Sequence, residues 1–197
     1  RILSLKGKRI NLEQLEQADP AQIDFKKHQK TAQKLAEQAL TLVKNDDVFP
    51  VAKVKESKVS VIDFKMGRVS LAEDEGEKNN LFADYLNQEI DHLEYFSLQN
   101  NSALTAKEQQ KIENSDLIIV CTYNAAVNKY QVELAEKLAE NNKVAVLALR
   151  NPYDYKLIDK TQAFLTTYDY SPANQRAAAD FILGRIGAKG ELPVTVK

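Results

Sequence analysis

Asp116-Leu117-Ile118-Ile119-Val120-Cys121-Thr122 and Lys143-Val144-Ala145-Val146-Leu147-Ala148-Leu149 are the two stretches that decide the fold. Both are apolar without alternation. A strand with one wet face alternates polar and apolar residues, so strands of this kind need cover on both faces. Between them, Val127 to Glu140 places Val132, Leu134, Ala135, Leu138 and Ala139 at helical spacing. Buried strand, helix, buried strand is the signature of a parallel sheet with helices on both sides.

The alternation continues outward. Upstream, Lys58 to Phe64 reads as a strand. Asn79 to Ile90 reads as a helix with Leu81, Phe82, Tyr85, Leu86 and Ile90 on one face, and Glu94 to Leu98 as a weaker strand. Thr105 opens a short helix, with Glu108 three residues on in capping-box position. Downstream, Ala163 to Thr167 is a strand. Pro172 to Leu183 is a helix with proline in its first turn, where a missing N–H costs nothing. Leu192 to Val196 is expected as a final strand, put at a sheet edge by Pro193. Far upstream, Phe25 to Lys44 reads as one long helix on Phe25, His28, Ala32, Leu35, Ala36, Ala39, Leu40 and Val43, ended by Asn45-Asp46-Asp47. The sum is an α/β, doubly wound three-layer sandwich of flavodoxin-like type, with about six mostly parallel strands.

Arg1 to Asn11 reads as the end of a helix whose body lies upstream, and Asp19-Pro20 as the start of a new unit. Arg1 is not a natural start, so a fragment or processed product is expected, with any targeting signal upstream.

Composition narrows the function classes. The 197 residues carry 27 Lys and Arg against 28 Asp and Glu, a net charge of −1. That leaves no cationic field for sequence-independent nucleic-acid binding. The hydrophobic fraction of 44% and charged fraction of 28% are those of a globular chain rather than a disordered one. A single cysteine excludes an intrachain disulfide. The longest apolar runs are far too short to span a bilayer.

Ligands of open α/β sheets bind beyond the carboxyl ends of the strands. The tips to inspect are Asp63 to Gly67, Tyr123 to Ala126, Arg150 to Asp154 and Tyr168 to Ser171. Phosphate cradles fail there. No G-x-G-x-x-G or Walker loop follows a strand, and Lys65-Met66-Gly67-Arg68 is poor in Ser and Thr. Gly184, Gly187 and Gly190 follow a helix, which fits helix termination. His28 and His92 are the only histidines and Cys121 sits mid-strand, so no metal-ligand spacing exists. No G-x-S-x-G elbow is present. Neither cofactor nor metal is expected.

The densest polar and aromatic group is Arg150-Asn151-Pro152-Tyr153-Asp154. Arg150 is suited to gripping a carboxylate or hydroxyls, and Tyr153 to stacking on a sugar ring. The competing reading is that Asn151-Pro152 makes a turn, with a cis bond allowed by the proline, and that Asp154 caps the helix after it. Turn chemistry is the commoner use of such residues, and spacing alone favours it.

Four stretches taken together resemble the carboxyl-terminal domain of family 3 glycoside hydrolases. Ala32 to Asp46 is similar to that family's "A-x-x-A-x-x-(S/A)-(I/L)-(T/V)-L-(L/V)-K-N" segment. Asp116 to Ala125 and Ala148 to Asp154 are the second and third. Phe181-Ile182-Leu183-Gly184 with Gly190-Glu191-Leu192-Pro193-Val194-Thr195-Val196 is similar to its closing "F-G … G-(K/R)-L-P-V-(T/S)". The resemblance covers nearly the whole chain. It implies that residues 1–17 are the end of a preceding catalytic barrel and linker, and that residues 18–197 are an α/β sandwich packed beside the active-site cleft. The barrel is then the partner, in the same polypeptide, and holds the nucleophilic Asp. In the family's β-glucosidase branch the sandwich donates an acid/base Glu from the loop after a central strand. The matching loop here, Thr122-Tyr123-Asn124-Ala125-Ala126, has no carboxylate. In this it resembles the β-N-acetylhexosaminidase branch, where a His–Asp pair on the barrel does the acid/base work. No catalytic residue is then expected in this chain. Tyr123, Asn124, Arg150, Asn151, Tyr153, Asp154 and Tyr168 are candidates for the substrate cleft or the domain interface. A free-standing small-ligand binding module of flavodoxin-like architecture is the alternative. The sequence upstream of Arg1 separates the two.

Overall fold

A computed structural model describes residues 1–11, 23–64, 81–99 and 102–196. The chain divides into two compact units, Arg1–Thr31 and Ala32–Lys197. In the first, helix α1 (Ile2–Arg9) buries none of its residues. Helix α2 (Phe25–Ala39) opens where the Asp24 carboxylate accepts the Lys27 N–H at 2.9 Å. Asp19-Pro20 and the boundary at residue 17 lie outside the described residues.

The second unit is built on one six-stranded sheet. Its strands are β1 (Thr41–Asn45), β2 (Lys58–Phe64), β3 (His92–Leu98), β4 (Leu117–Thr122), β5 (Val144–Ala148) and β6 (Ala163–Thr166). The order across the sheet is β1-β6-β5-β4-β2-β3, parallel throughout except for antiparallel β1 on β6. Every residue of β4, β5 and β6 is buried. One face, with Val61, Ile119, Leu147 and Leu165, is covered by α3 (Leu81–Asn87) and α6 (Pro172–Ile182) through Phe82, Leu86, Ala178 and Ile182. The other, with Ile62, Val120, Val146 and Phe164, is covered by α4 (Ala106–Glu113) and α5 (Lys129–Ala139) through Ile112, Leu134 and Leu138. This is the three-layer sandwich that the unalternated strands require. The Thr105–Glu108 capping box forms as expected, with Thr105 N–H to Glu108 at 2.8 Å and Glu108 N–H to Thr105 Oγ1 at 3.3 Å.

Three expectations need correction. The long helix ends at Ala39, and residues 41–45 form β1. Leu40 and Leu42 join one core while Val43 packs into the other, so the side chains alternate across the sheet as a strand requires. Lys44 Nζ fixes the edge by donating to Thr161 O at 2.7 Å. Leu192 to Val196 is not a strand. Leu192, Val194 and Val196 are half-buried between exposed neighbours, but the segment joins no ladder, and β1 already fills the edge beside β6. The strand placed at Glu94 begins two residues earlier, so His92 opens β3 rather than trailing a helix.

The glycines after α6 divide by role. Gly184 sits at φ +73° and ends the helix, with Arg185 N–H reaching back to Asp180 O at 2.8 Å. Gly190 is needed for close approach instead. Its N–H donates to Leu40 O at 2.9 Å, and a Cβ there would stand 2.3 Å from Ala39 O.

Changing Val146 or Ile119 to Asp places an unpaired charge at a fully buried position. The expected result is loss of folding, since one uncompensated buried charge costs a large part of a stability of about 5–15 kcal/mol. A variant that expresses and melts like wild type contradicts the strand placement. Thr166 is buried and its hydroxyl has no hydrogen-bond partner among the described residues. Thr166→Val keeps the shape and removes that polar atom, so thermal melting should show an equal or higher Tm.

Candidate functional site

Parallel strands β4 and β5 and their neighbour β6 all point their carboxyl ends to one edge of the sheet, and the connections leaving them carry the candidate residues. Side chains from the flanking elements tie these connections down. Tyr123 follows β4 and is 4% exposed. Its backbone N–H donates to Gln131 Oε1 at 2.9 Å, and its carbonyl accepts from Asn128 Nδ2 at 3.1 Å. Arg150 Nη1 donates to the Tyr123 hydroxyl. The guanidinium carbon lies 5.3 Å from the ring centroid. Because the hydroxyl is the point of contact, the hydrogen bond is the main tie and the ring face a lesser one. The far side of Tyr123 meets Tyr170 edge to face at 5.6 Å.

Asp154 lies beneath this pair. Asn151 caps the 3₁₀ turn Pro152–Leu157, its Oδ1 accepting the Tyr153 N–H at 3.0 Å. The cap expected at Asp154 is therefore made by Asn151, and the cis bond of the described chain is Phe49-Pro50, not Asn151-Pro152. Asp154 turns inward and is fully buried. It accepts from Thr122 Oγ1 at 2.9 Å and from Ala125 N–H at 3.0 Å, which joins the β5 connection to the β4 connection.

Burial pushes the Asp154 carboxyl up to about 6, against the pull of its two hydrogen bonds. An exposed aspartate titrates near ~3.9. The folded chain thus keeps this proton over a range in which the unfolded chain has lost it. Asp154 lowers stability progressively as pH rises from about 4 to about 6, and the loss is complete above that.

The remaining candidates occupy the rim. Asn124 has φ +50°, and its carbonyl accepts from Val127 and Asn128 N–H at 3.0 and 3.3 Å. Tyr153 is 46% exposed, and Val127 is 82% exposed. Tyr168, beyond β6, has φ +61°, a left-handed conformation that costs a bulky residue energy. Its hydroxyl donates to Thr41 Oγ1 at 2.8 Å, so the ring is tied toward β1 and takes no hydrogen bond from Arg150. The structure thus brings Tyr123, Arg150 and Asp154 together around the β4 connection, sets Asn124, Asn151 and Tyr153 beside them, and ties the Tyr168 hydroxyl to Thr41 of β1.

Sequence reasoning missed Gln131, Tyr170 and Gln175. Gln131 and Gln175 are 1% and 5% exposed. Gln175 accepts from Phe82 N–H at 2.9 Å and donates to Tyr170 O at 2.6 Å, so it ties α6 to the start of α3 and to the β6 connection. Each glutamine lies on the apolar stripe of its helix, one turn before Leu134 or Ala178. A polar residue on such a stripe signals a buried hydrogen bond. The carboxylates near this edge are engaged as well. Asp63 accepts from the Tyr95 hydroxyl at 3.1 Å, and Asp169 from Tyr170 N–H at 2.9 Å. Among the described residues no group of His, Cys, Asp and Glu is placed to hold a metal ion. Lys65 to Arg68 lie outside the described residues.

Architecture and site together define an α/β sandwich whose strand-tip edge is hydrogen-bonded from within. A model of the glycosyl hydrolase family 3 C-terminal domain matches residues 40–197, and the chain belongs to that family. Solved structures agree. A fungal multi-domain GH3 β-N-acetylglucosaminidase, described with a GCN5-related glucosamine N-acetyltransferase region, is similar at 26% identity and TM-score 0.85 over 100% of this chain and 22% of that one. The glycoside hydrolase family 3 β-N-acetylglucosaminidase from Paenibacillus sp. str. FPU-7 is similar at 22% identity and TM-score 0.69, over 84% of this chain and 32% of that one. The β-glucoside phosphorylase BglX shares the fold at 18% identity and TM-score 0.65, over 99% of this chain and 37% of that one. The chain therefore spans between about a fifth and two fifths of these proteins. No curated protein matches the sequence. No helix among the described residues is long and apolar enough to cross a membrane.

Asp154→Ala leaves the Thr122 hydroxyl and Ala125 N–H buried without an acceptor, and should cost about 1–3 kcal/mol for each. Asp154→Asn keeps an acceptor for Ala125 and removes the titrating group. Denaturant melts from pH 4 to 7 should show Asp154→Asn close to wild type at pH 4 and losing less stability as pH rises. An unchanged pH profile would show that Asp154 is not the group responsible.

Proposed function

We propose that this chain is the carboxyl-terminal accessory domain of a two-domain family 3 glycoside hydrolase of the β-N-acetylhexosaminidase branch. Residues 1–17 are then the end of the catalytic barrel and its linker, and residues 18–197 the sandwich. The intact enzyme removes terminal N-acetylhexosamine from cell-wall or chitin fragments with retention. In this reading the barrel supplies the nucleophilic Asp and the His–Asp pair, and the strand-tip edge forms one wall of the cleft.

The observation that carries the reading is the connection after β4. Where the glucosidase branch is expected to present an acid, this chain has Tyr123-Asn124-Ala125-Ala126. The carboxylate beneath that connection, Asp154, is buried and committed to holding it. Retaining hydrolysis needs two carboxyl groups about 5–5.5 Å apart on either side of the glycosidic bond, or an equivalent acid/base. An edge whose carboxylates are engaged by their own chain suits a supporting wall. The likeness to a GH3 β-N-acetylglucosaminidase over 100% of this chain favours that branch.

The purified 197-residue chain is expected to release no nitrophenol from p-nitrophenyl N-acetyl-β-D-glucosaminide, whereas the full-length protein encoded by the gene should. Turnover by the isolated chain that a single carboxylate substitution abolishes would place a complete site in the sandwich. In the full-length protein, Arg150→Ala or Tyr153→Ala should raise KM or lower turnover by about threefold or more.

A further inference from the structure

Asn124 combines three features that no other residue of the edge shares. It is the residue of the β4 connection with a left-handed backbone, φ +50°. The peptide groups on both sides of it are held by buried side chains from different elements, Tyr123 N–H by Gln131 of α5 and Ala125 N–H by Asp154 of the 3₁₀ turn. Its own carboxamide makes no hydrogen bond among the described residues and is only half-buried. Backbone held in a sparsely populated region, with its neighbours fixed by buried acceptors, is a way to present one side chain in a set direction.

Asparagine adopts this backbone more readily than most residues, so a turn role alone would explain its choice. Such a role uses only the backbone of Asn124 and leaves its carboxamide without a hydrogen bond among the described residues. A carboxamide offers donor and acceptor without charge, which matches the hydroxyl or acetamido groups of a neutral saccharide better than a carboxylate or phosphate. Resting on the reading that this edge walls a saccharide cleft, we propose that the Asn124 carboxamide hydrogen-bonds a neutral hydroxyl or acetamido group of the bound sugar and sets its affinity.

Glycine separates the two roles, because it adopts φ +50° without steric cost and carries no amide. Asn124→Gly and Asn124→Ala are compared in the full-length protein with p-nitrophenyl N-acetyl-β-D-glucosaminide, and Tm is measured on the same samples. Expected for Asn124→Gly is a Tm at or near wild type, KM raised about tenfold, and kcat within about twofold. Asn124→Ala should raise KM equally while lowering Tm. Wild-type kinetics in Asn124→Gly, with only Asn124→Ala impaired, would assign the residue to the backbone and overturn the proposal. A full-length wild type inactive on N-acetylglucosaminides and glucosides alike would instead overturn the functional reading, and this proposal with it.

Discussion

Two-sided burial of β4 and β5 is the constraint on which the rest depends. Neither strand exposes a residue, so helices must lie on both faces, and the crossovers that put them there run every strand from β2 to β6 in one direction. What reaches the surface is then the strand ends. Chain leaving a fully buried strand brings backbone N–H groups to a place with neither ladder partners nor free water, and each needs an acceptor. Gln131 and Asp154 are those acceptors beyond β4, while Gln175 does the same for Phe82 N–H in the first turn of α3. The edge is orderly because the sheet is covered, before any question of what it binds.

That constraint also explains which parts were legible in advance. An unalternated apolar run has one cheap solution, and the central strands and the helices α3 to α6 were placed within a few residues. The first strand was not, because Leu40 and Val43 continue the three-and-four spacing of α2 while belonging to opposite cores. Four residues are too few for period two to outweigh a long helical pattern. At the other end, Leu192 to Val196 does alternate, but alternation reports a half-buried extended chain and not the presence of a pairing strand.

The candidate site was legible in location and less so in role. Arg150 to Asp154 drew attention as a cluster, yet the cluster splits: Asp154 points into the core, Asn151 caps, and Tyr153 stays in solvent. What decides between those fates is contact with Thr122 and Ala125, about thirty residues earlier, which local spacing does not contain. The partners of Tyr123 were hidden for the same reason. Family membership accounts for the architecture, while the β4 connection itself, Tyr123 to Ala126, carries no carboxylate of its own.

The antiparallel edge strand bears on how the chain is made. Thr41 pairs with Thr166, and Gly190 presses against Leu40, so β1 finds its neighbours only after almost everything between has been synthesised. A ribosome releases β1 long before β6, and loop closure over that distance is entropically slow. The parallel core can assemble first, leaving one flank of β6 open. An open flank of this kind invites pairing with another chain. Docking of β1 covers that flank and leaves as the outer edge a short strand tied down by Lys44 to Thr161 O and by Gly190 N–H to Leu40 O, so chaperone demand should fall on the interval before the two ends of the sandwich meet.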